Sequence, residues 1–244
     1  MKYVKEFQPN CIILENVSGL RYTAGGTFEK KIITAMNSLG YSVKVKLLNA
    51  VDYGVPQFRT RLLFVGIKSD LPYSSCFEFP KPYFDPAEYR TLYDALSDLP
   101  SLSAGQKLEN YATPPKTQYQ ELMRGINNSI NKTPTNLLYN HEAPRHPKST
   151  VEMIGNTRPG EPLYEKFQQK IRLRNDKPSP TQLAGGIRPS FQFGHPDDAR
   201  GLTTRERARI QSFPDNYKFF GGIVQERVQT GNAVPPLLIY AVAA

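Results

Sequence analysis

The stretch Gln57-Phe58-Arg59-Thr60-Arg61-Leu62-Leu63-Phe64-Val65-Gly66-Ile67 joins a polar, basic run to an apolar one. The apolar half, residues 62–67, has the length and composition of a buried strand. Because side chains alternate along an extended chain, Gln57, Arg59 and Arg61 should share one face just ahead of that strand. Two guanidiniums and an amide on one patch suit bidentate contacts with a base edge or a phosphate. A solvated basic edge strand is the alternative that this run leaves open.

Two further strands and a helix are predicted ahead of this stretch. Cys11-Ile12-Ile13-Leu14 is a short apolar run typical of a strand buried on both faces, with Glu15 at its carboxyl end. Apolar residues at helical spacing from 28 to 39 predict a helix that ends at Gly40. Residues 41–47 alternate between apolar and polar, which predicts a half-buried strand. Strand, helix and strand in this order indicate an α/β fold with a mainly parallel sheet.

The middle of the chain has a different character. Residues 71–176 are rich in Pro, Asn, Ser and Tyr and show weak periodicity, and within them only residues 92–99 have a helical pattern. A long region with little regular structure is more often functional than a packed connection.

Regular patterns return near the end of the chain. Thr203 with Glu206 three residues later is a capping box, which predicts a helix that stops at residues 213–215. By itself this basic helix is typical of a solvated surface. Residues 231–236 indicate a turn followed by a helix, because Pro235 and Pro236 are tolerated in a first helical turn.

Composition limits the classes of protein to consider. The chain has 31 Lys+Arg against 22 Asp+Glu, a net charge of +9, which favours a surface that neutralises phosphates. No apolar run approaches the roughly 20 residues that span a bilayer, and the amino terminus lacks the apolar stretch of a signal peptide, so a cytoplasmic location is expected. Cys11 and Cys76 have neither disulfide-framework nor zinc-site spacing, and a buried, inert thiol is expected at Cys11.

Five runs together carry more information than each does alone. They resemble, in order, the later motifs of DNA (cytosine-5) methyltransferases, and the resemblance extends from Pro9 to the carboxyl terminus. A strand-end glutamate such as Glu15 could otherwise simply cap a turn at residues 18–19. The five runs are Glu15-Asn16-Val17, residues 50–61, Pro178-Ser179-Pro180-Thr181, residues 200–215 and residues 230–236.

The resemblance implies roles for individual residues. Members of this family flip a cytosine out of the duplex, add a cysteine thiolate to carbon 6, and methylate carbon 5 with S-adenosyl-L-methionine. Glu15 matches the glutamate that contacts ring nitrogen N3 and the exocyclic amine, and Arg61 matches the arginine that contacts the carbonyl oxygen O2. The resemblance also marks supporting and cofactor-side residues: Asn16, Gln57 and Arg59 in the active site, and Asn232 and Ala233 beside the cofactor.

The resemblance also implies a domain organisation. Residues 1–73 would form the C-terminal part of a Rossmann-like catalytic sheet, and residues 74–200 a smaller, irregular, β-rich target-recognition domain that reads bases in the major groove of double-stranded DNA. Residues 201–229 would be a hinge region, and residues 230–244 a helix that returns to the catalytic domain. The expected DNA-binding residues are Arg172, Arg174, Arg188 and Arg205.

Two family features are missing from these 244 residues, namely the glycine loop for the cofactor and the Pro-Cys-Gln nucleophile. The chain is therefore expected to be one subunit or a fragment, inactive alone, that needs an N-terminal methyltransferase partner carrying both. No metal is expected. The alternative is a non-catalytic DNA-binding module or an inactive methyltransferase remnant.

Overall fold

The computed structural model describes residues 1–126, 130–184 and 191–244. Its sheet has three strands, β1 (Cys11–Val17), β2 (Tyr41–Asn49) and β3 (Thr60–Lys68), in the order β1-β3-β2. The helices are α1 (Lys2–Phe7), α2 (Thr27–Asn37), α3 (Leu92–Leu96), α4 (Gln118–Arg124), α5 (Lys148–Asn156), α6 (Thr204–Ile210), α7 (Ile223–Asn232) and α8 (Pro236–Ala243).

The mainly parallel sheet expected from the sequence is wrong for the described strands. β3 runs antiparallel to both β1 and β2, and it lies between them. The connection from β2 to β3, residues 50–59, is shorter than the dozen or more residues that a parallel crossover needs, so the chain has to return in the opposite direction. β1 and β2 remain parallel to each other, joined through α2.

The predicted helix over residues 28–39 is confirmed as α2, and Gly40 follows it with a positive φ of 87°. A positive φ is strained for residues with a Cβ, which explains glycine at this position. The predicted strands at residues 41–47 and 62–67 are confirmed as β2 and β3.

β1 forms as predicted but is not buried on both faces. It lies at the edge of the sheet, each of its residues is exposed or partly buried, and Ile13 is 38% exposed. Cys11 is exposed as well, so the expectation of a buried thiol is wrong. Its partial desolvation nevertheless raises the pKa of the thiol.

The two faces of the sheet pack against different helices. One face meets α2 in a small core that includes Met36, Tyr41, Leu62 and Phe64. The other face belongs to a larger core, where Leu63 and Val65 of β3 pack with residues from α3, α4, α6 and α8. Apolar burial of this kind is the main stabilising contribution to the fold. The larger core joins the sheet to the carboxyl-terminal helices.

The described part of residues 74–200 is irregular, as expected, but it is not β-rich. It contains α3, α4 and α5 and only isolated β-bridges, such as Lys107 with Glu142 and Pro162 with Ile171. Side-chain hydrogen bonds also hold this region together, because the Arg172 guanidinium donates to carbonyl groups at the end of α5 and to the Pro196 carbonyl. The structure therefore corrects the strand content that the resemblance implied.

Helix α6 is capped as predicted but is not a solvated surface. Thr203 accepts a hydrogen bond from the Glu206 amide, and Glu206 accepts one from the Thr203 amide. All seven residues of the helix are buried. The arginines find partners inside the protein, as Arg209 shows by donating to Asp215 at 2.6 Å and to Asp98 at 3.1 Å. Buried guanidiniums persist only when they are paired in this way.

The carboxyl-terminal helix is confirmed, since α8 begins at Pro236. Gly231 and Asn232 do not lie in a turn as expected, because they form the last two residues of α7. Among the described residues, the structure contains no helix with both the length and the apolar character needed to cross a membrane.

Candidate active site

Glu15 and Arg61 form an ion pair at one end of the sheet. Because β1 and β3 are antiparallel, the end of β1 lies beside the start of β3, and Val17 pairs with Arg61. The Arg61 Nε atom is 2.6 Å from Glu15 Oε1. Arg61 is buried and Glu15 partly exposed, so the carboxylate remains accessible. Burial lowers the pKa of Arg61, while the charge of Glu15 opposes that shift.

This pair lines a cleft of about 410 Å³. Glu15, Asn16 and Arg61 come from the sheet, residues 181–184 form a second wall, and the end of α7 closes the third side. The structure thus brings together five residues that the resemblance marked: Glu15, Asn16, Arg59, Arg61 and Asn232. An open cleft with convergent polar groups is the usual geometry of a ligand site.

Arg59 connects two walls of the cleft through hydrogen bonds. It is almost fully buried, and its guanidinium donates to the carbonyl oxygens of Gln182 at 3.0 Å, Gly231 at 2.7 Å and Ala233 at 2.8 Å. Burial, and next the charge of Arg61, lower the pKa of Arg59 to about 10. These contacts give Arg59 a supporting role, since its donors are directed at the protein.

Gln57 does not share the cleft surface with the two arginines, although strand alternation predicted a common face. It is fully buried, and its Oε1 atom accepts a hydrogen bond from the Gln182 amide at 3.4 Å. Gln57 therefore supports the second wall from behind. The expected shared face holds only for Arg59 and Arg61.

Residues 182–184 line the cleft but were not predicted as site residues. They also explain why position 231 is a glycine. A Cβ atom on Gly231 would lie 2.2 Å from Ala184 Cα and 2.3 Å from its nitrogen, so only glycine permits this close approach. Arg207 holds the same segment by donating to the Leu183 carbonyl at 2.9 Å. The run at residues 178–181 was a signal for this wall, but it includes only the first of the residues 181–184 that line the cleft.

Arg172 does not support the DNA contact expected of it. Its guanidinium donors are directed at carbonyl oxygens of the protein, so it organises the surrounding loops. These acceptors are Ile154, Gly155, Thr157, His195, Pro196 and Asp197.

Arg205 does not support the expected DNA contact either. It is fully buried in α6 and donates to the carbonyl oxygens of Tyr139 at 2.8 Å and Pro214 at 3.2 Å. Arg174 is exposed and paired with Asp176, with 2.8 Å between Nε and Oδ1, so it stays a candidate. Arg188 lies outside the described residues.

Asn232 and Ala233 differ in what they offer to a cofactor. Asn232 is exposed at the cleft, and its side chain has no hydrogen-bond partner in the described ranges. The Ala233 carbonyl already accepts from Arg59. Within the same ranges, no group of three His, Cys, Asp or Glu side chains is arranged to hold a metal ion.

Two type II methyltransferases are similar to this chain over its full length. Type II methyltransferase M.DdeI of Desulfomicrobium norvegicum is 36% identical over 273 residues, a match that covers 100% of this chain and 64% of the relative. Type II methyltransferase M1.HphI of Haemophilus parahaemolyticus is 33% identical and covers 100% of this chain and 58% of the relative. The chain thus spans 64% and 58% of the length of these two relatives.

The fold has relatives among solved structures. A crystal structure from E. coli, described as a DNA modification methyltransferase encoded within a prophage, matches with a TM-score of 0.75 at 25% identity, over 98% of this chain and 69% of that one. The S. pombe Dnmt2 methyltransferase shares the fold at a TM-score of 0.52 and 14% identity, over 96% of this chain and 63% of that one. The family described as C-5 cytosine-specific DNA methylase matches residues 1–244. The chain therefore belongs to the C-5 cytosine-specific DNA methylase family.

Proposed function

We propose that this chain forms the cytosine-binding and DNA-recognition part of a DNA (cytosine-5) methyltransferase. The observation that carries the proposal is the Glu15–Arg61 ion pair, with 2.6 Å between Nε and Oε1, in an open cleft at one end of the sheet. Cytosine has a donor amine next to N3 and an acceptor oxygen O2 on the other side of N3. A carboxylate beside a guanidinium complements that pattern.

Glu15 is the residue that would stabilise the reacting ring. Attack at carbon 6 moves electron density toward N3, and a carboxylate at N3 and the exocyclic amine favours a protonated N3 that accepts this density. The ion pair with Arg61 engages Oε1, and a carboxylate has further lone pairs to offer to the base. Fixing the carboxylate before substrate arrives avoids reorganisation during the reaction.

Arg61 would hold the opposite edge of the base. Its Nε is directed at Glu15, and one terminal nitrogen donates to the Thr60 carbonyl at 2.9 Å. A guanidinium carries five N–H donors, so capacity remains for O2 of cytosine. A cytosine reaches such a cleft only outside the base stack, and the substrate is therefore a flipped nucleotide in double-stranded DNA.

S-adenosyl-L-methionine supplies the methyl group in this reaction. This chain would supply one wall of the cofactor site. Asn232 presents an exposed amide at the cleft, whereas the Ala233 carbonyl accepts a hydrogen bond from Arg59. We assign Asn232 a contact with the cofactor and Ala233 a backbone role that keeps Asn232 in place.

Neither cysteine of the chain is placed to be the nucleophile. Cys11 lies four residues from Glu15 on β1, about 13 Å along an extended strand, and pairs with Ile67 at the far end of β3. Cys76 lines a groove together with Cys11, away from the cleft. The thiolate therefore comes from polypeptide outside these 244 residues, on the same chain or on an N-terminal partner subunit.

The remaining regions would serve DNA binding. Residues 74–200 correspond to a target-recognition domain, with Arg174 as an exposed candidate contact and Arg188 as a second candidate outside the described residues. Residues 201–229 would act as the hinge region, and residues 230–244 would return the chain to the catalytic sheet. We propose a cytoplasmic location, since the proposed substrate is DNA.

The first prediction tests Glu15 in the enzyme reconstituted with the polypeptide that carries the glycine loop and Pro-Cys-Gln. Glu15→Gln keeps the shape of the side chain but removes the charge, so single-turnover methylation should fall about 10²-fold or more. DNA affinity at one fixed salt concentration should change little, because it depends on phosphate contacts spread over many basic residues. A Glu29→Gln variant, altered on α2, should methylate at the parental rate.

If Glu15→Gln methylates as fast as the parental protein, the catalytic assignment is wrong and Glu15 only caps its strand. The second candidate function, a non-catalytic DNA-binding module, is favoured by the basic net charge of +9. It predicts DNA binding without methyl transfer, with or without the added polypeptide.

A further inference from the structure

Within residues 57–61, Phe58 has a side chain that the proposed chemistry does not use. Its neighbours Gln57 and Arg59 are buried, but Phe58 is 44% exposed. An exposed aromatic ring beside a DNA-modifying cleft has a ligand to contact or is a chance surface residue. Its surroundings distinguish these two cases.

The Phe58 ring is held in a fixed position. Its amide donates to the Ser179 carbonyl at 2.8 Å, and its own carbonyl accepts from the Thr181 hydroxyl at 2.7 Å. The ring packs edge-to-face on Tyr89 with 6.0 Å between centroids, and the Tyr89 hydroxyl donates to Asp52 at 2.6 Å. A surface aromatic with this much support is preorganised for a contact, which reduces the entropic cost of binding.

The ring forms one wall of a second cleft of about 390 Å³. The cleft is predominantly apolar, and Arg174 and Lys177 lie on its rim. Its apolar lining consists of Phe58, Ile171, Leu173, Pro178 and Pro180. Thr181 lines both this cleft and the active-site cleft, so the two adjoin each other. A ligand that enters the active site as part of a longer strand would pass over the second cleft.

The two cations on the rim are not equivalent. Arg174 is paired with Asp176, at 2.8 Å and 2.5 Å for its two contacts, so a phosphate would have to displace that carboxylate. The ammonium group of Lys177 makes no hydrogen bond or ion pair within the described ranges and is exposed. Lys177 is therefore the group available to an anion.

We propose that this cleft takes one deoxyribose-phosphate unit of the DNA strand next to the flipped cytosine, with the sugar against Phe58 and the phosphate against Lys177. The proposal rests on the proposed function, which makes DNA the ligand of the adjoining cleft. Charge complementarity favours the phosphate, and an apolar lining offers few groups to read base edges. The Thr181 hydroxyl is already donated to Phe58, so it is not free to donate to a base.

The first experiment measures DNA affinity of the full 244-residue chain by fluorescence anisotropy over a range of salt concentrations. Phe58→Ala should weaken binding about tenfold on cognate and non-cognate duplexes alike, with the same salt dependence as the parental chain. Phe28→Ala is the matched control, because Phe28 is 46% exposed on α2 and lines neither cleft. It should bind DNA like the parental chain.

The second experiment isolates the phosphate contact. Lys177→Gln should lower the slope of log K against log salt by about 0.9, the value for one lost phosphate contact, while Lys31→Gln on α2 should leave the slope unchanged. A duplex with one neutral methylphosphonate at the contacted phosphate should bind the parental chain as weakly as Lys177→Gln binds unmodified DNA. The variant should lose nothing further on that duplex.

Three results would overturn the proposal. The first is parental affinity of Phe58→Ala, and the second is an unchanged salt slope for Lys177→Gln. The third is a loss confined to the cognate sequence, which would mean that the cleft reads a base. These readouts need binding only, so a failure of this inference is distinguishable from failed methylation by the reconstituted enzyme, which would contradict the proposed function.

Discussion

Arg59 and Arg61 are two residues apart and both are buried, yet their guanidiniums have different partners. Arg59 donates to three backbone carbonyls, and Arg61 faces the Glu15 carboxylate in the cleft. A guanidinium that is surrounded by carbonyls supports the structure, whereas one paired with an accessible carboxylate can exchange part of its contact for a substrate. Within residues 59–61 the same residue type thus has a structural role at Arg59 and a proposed chemical role at Arg61.

The second prediction separates these roles. Arg59→Met should lower the free energy of unfolding by about 2 kcal/mol or more, because three carbonyls lose their donor in a buried site. Arg61→Met should cost about 1 kcal/mol or less, since solvent reaches Glu15, but it should slow single-turnover methylation about 10²-fold. Urea unfolding and single-turnover methylation of both variants provide the measurements. Equal losses of stability in the two variants would contradict the division.

The sequence was sufficient to propose Glu15 and Arg61 as site residues, because their motifs resemble those of the family, and the structure pairs the two in one cleft. It was not sufficient for Arg172 and Arg205. Their partners are carbonyl groups of loops that are distant in sequence, such as Tyr139 for Arg205 and Asp197 for Arg172. Charge alone predicts solvent or phosphate for such residues, and only the tertiary structure shows the carbonyls.

At the scale of elements, the cleft depends on how closely α7 approaches residues 181–184. The third prediction is that Gly231→Ala displaces this wall, because the added Cβ would lie 2.2 Å from Ala184 Cα and backbone cannot move aside as easily as a side chain. Methylation by the reconstituted enzyme should fall at least about tenfold, with a lower urea midpoint. Gly155→Ala in α5 is the control, since its nearest neighbour would be the Ala199 Cβ at 3.5 Å. Parental activity of Gly231→Ala would show that the wall is dispensable.

Elements with local signals were predictable and their arrangement was not. The capping box, a signal only four residues long from Thr203 to Glu206, specifies the start of α6. The pair Pro235-Pro236 specifies the start of α8. The insertion of β3 between β1 and β2 depends on pairing across residues 11 to 68, which no local pattern encodes. The short connection over residues 50–59 was the one sequence feature that excluded a parallel crossover.

At the scale of the whole molecule, the three histidines make the fold sensitive to acid. Burial lowers the pKa of His141 and His195, and it lowers that of His146 to about 4, with the charges of Arg227 and Arg200 contributing. His146 Nε2 accepts a hydrogen bond from the Gly201 amide at 3.0 Å, so this nitrogen carries no proton in the folded state. The folded state therefore resists protonation of this histidine.

The fourth prediction follows from the sign of these shifts. Below a pH of about 6.5 the unfolded chain binds protons at its histidines that the folded chain does not bind. The free energy of unfolding therefore decreases as the pH is lowered. For His146 this loss continues down to about pH 4. Below that range the carboxylates Glu206 and Asp215, whose pKa values are lowered by neighbouring arginines, add to the loss.

Urea midpoints measured at pH 7.5, 6 and 5 test this prediction. His146→Gln retains an acceptor for the Gly201 amide but cannot titrate, so its midpoint should decline less steeply than that of the parental chain. Parallel declines in the two proteins would mean that His146 does not contribute.

The last prediction concerns assembly. β1 is an edge strand of the sheet, and beside it Ile13, Val65 and Ile67 line a largely apolar groove of about 890 Å³ that extends to the end of α8. An unpaired edge next to apolar surface favours association with another strand. The chain alone should therefore self-associate in size-exclusion chromatography with light scattering. Addition of the polypeptide that carries the glycine loop and Pro-Cys-Gln should convert it to a defined complex that methylates DNA.

Ile13→Lys tests the edge directly, because a charged residue on an edge strand opposes pairing. Ile13 is partly exposed, so the variant should unfold cooperatively in urea while showing less self-association and weaker assembly with the added polypeptide. A parental chain that is a monodisperse, cooperatively melting monomer, with no gain on adding that polypeptide, would contradict this prediction. Such a result would favour the DNA-binding module, because a chain that neither needs nor accepts the part carrying the nucleophile could bind DNA but could not methylate it.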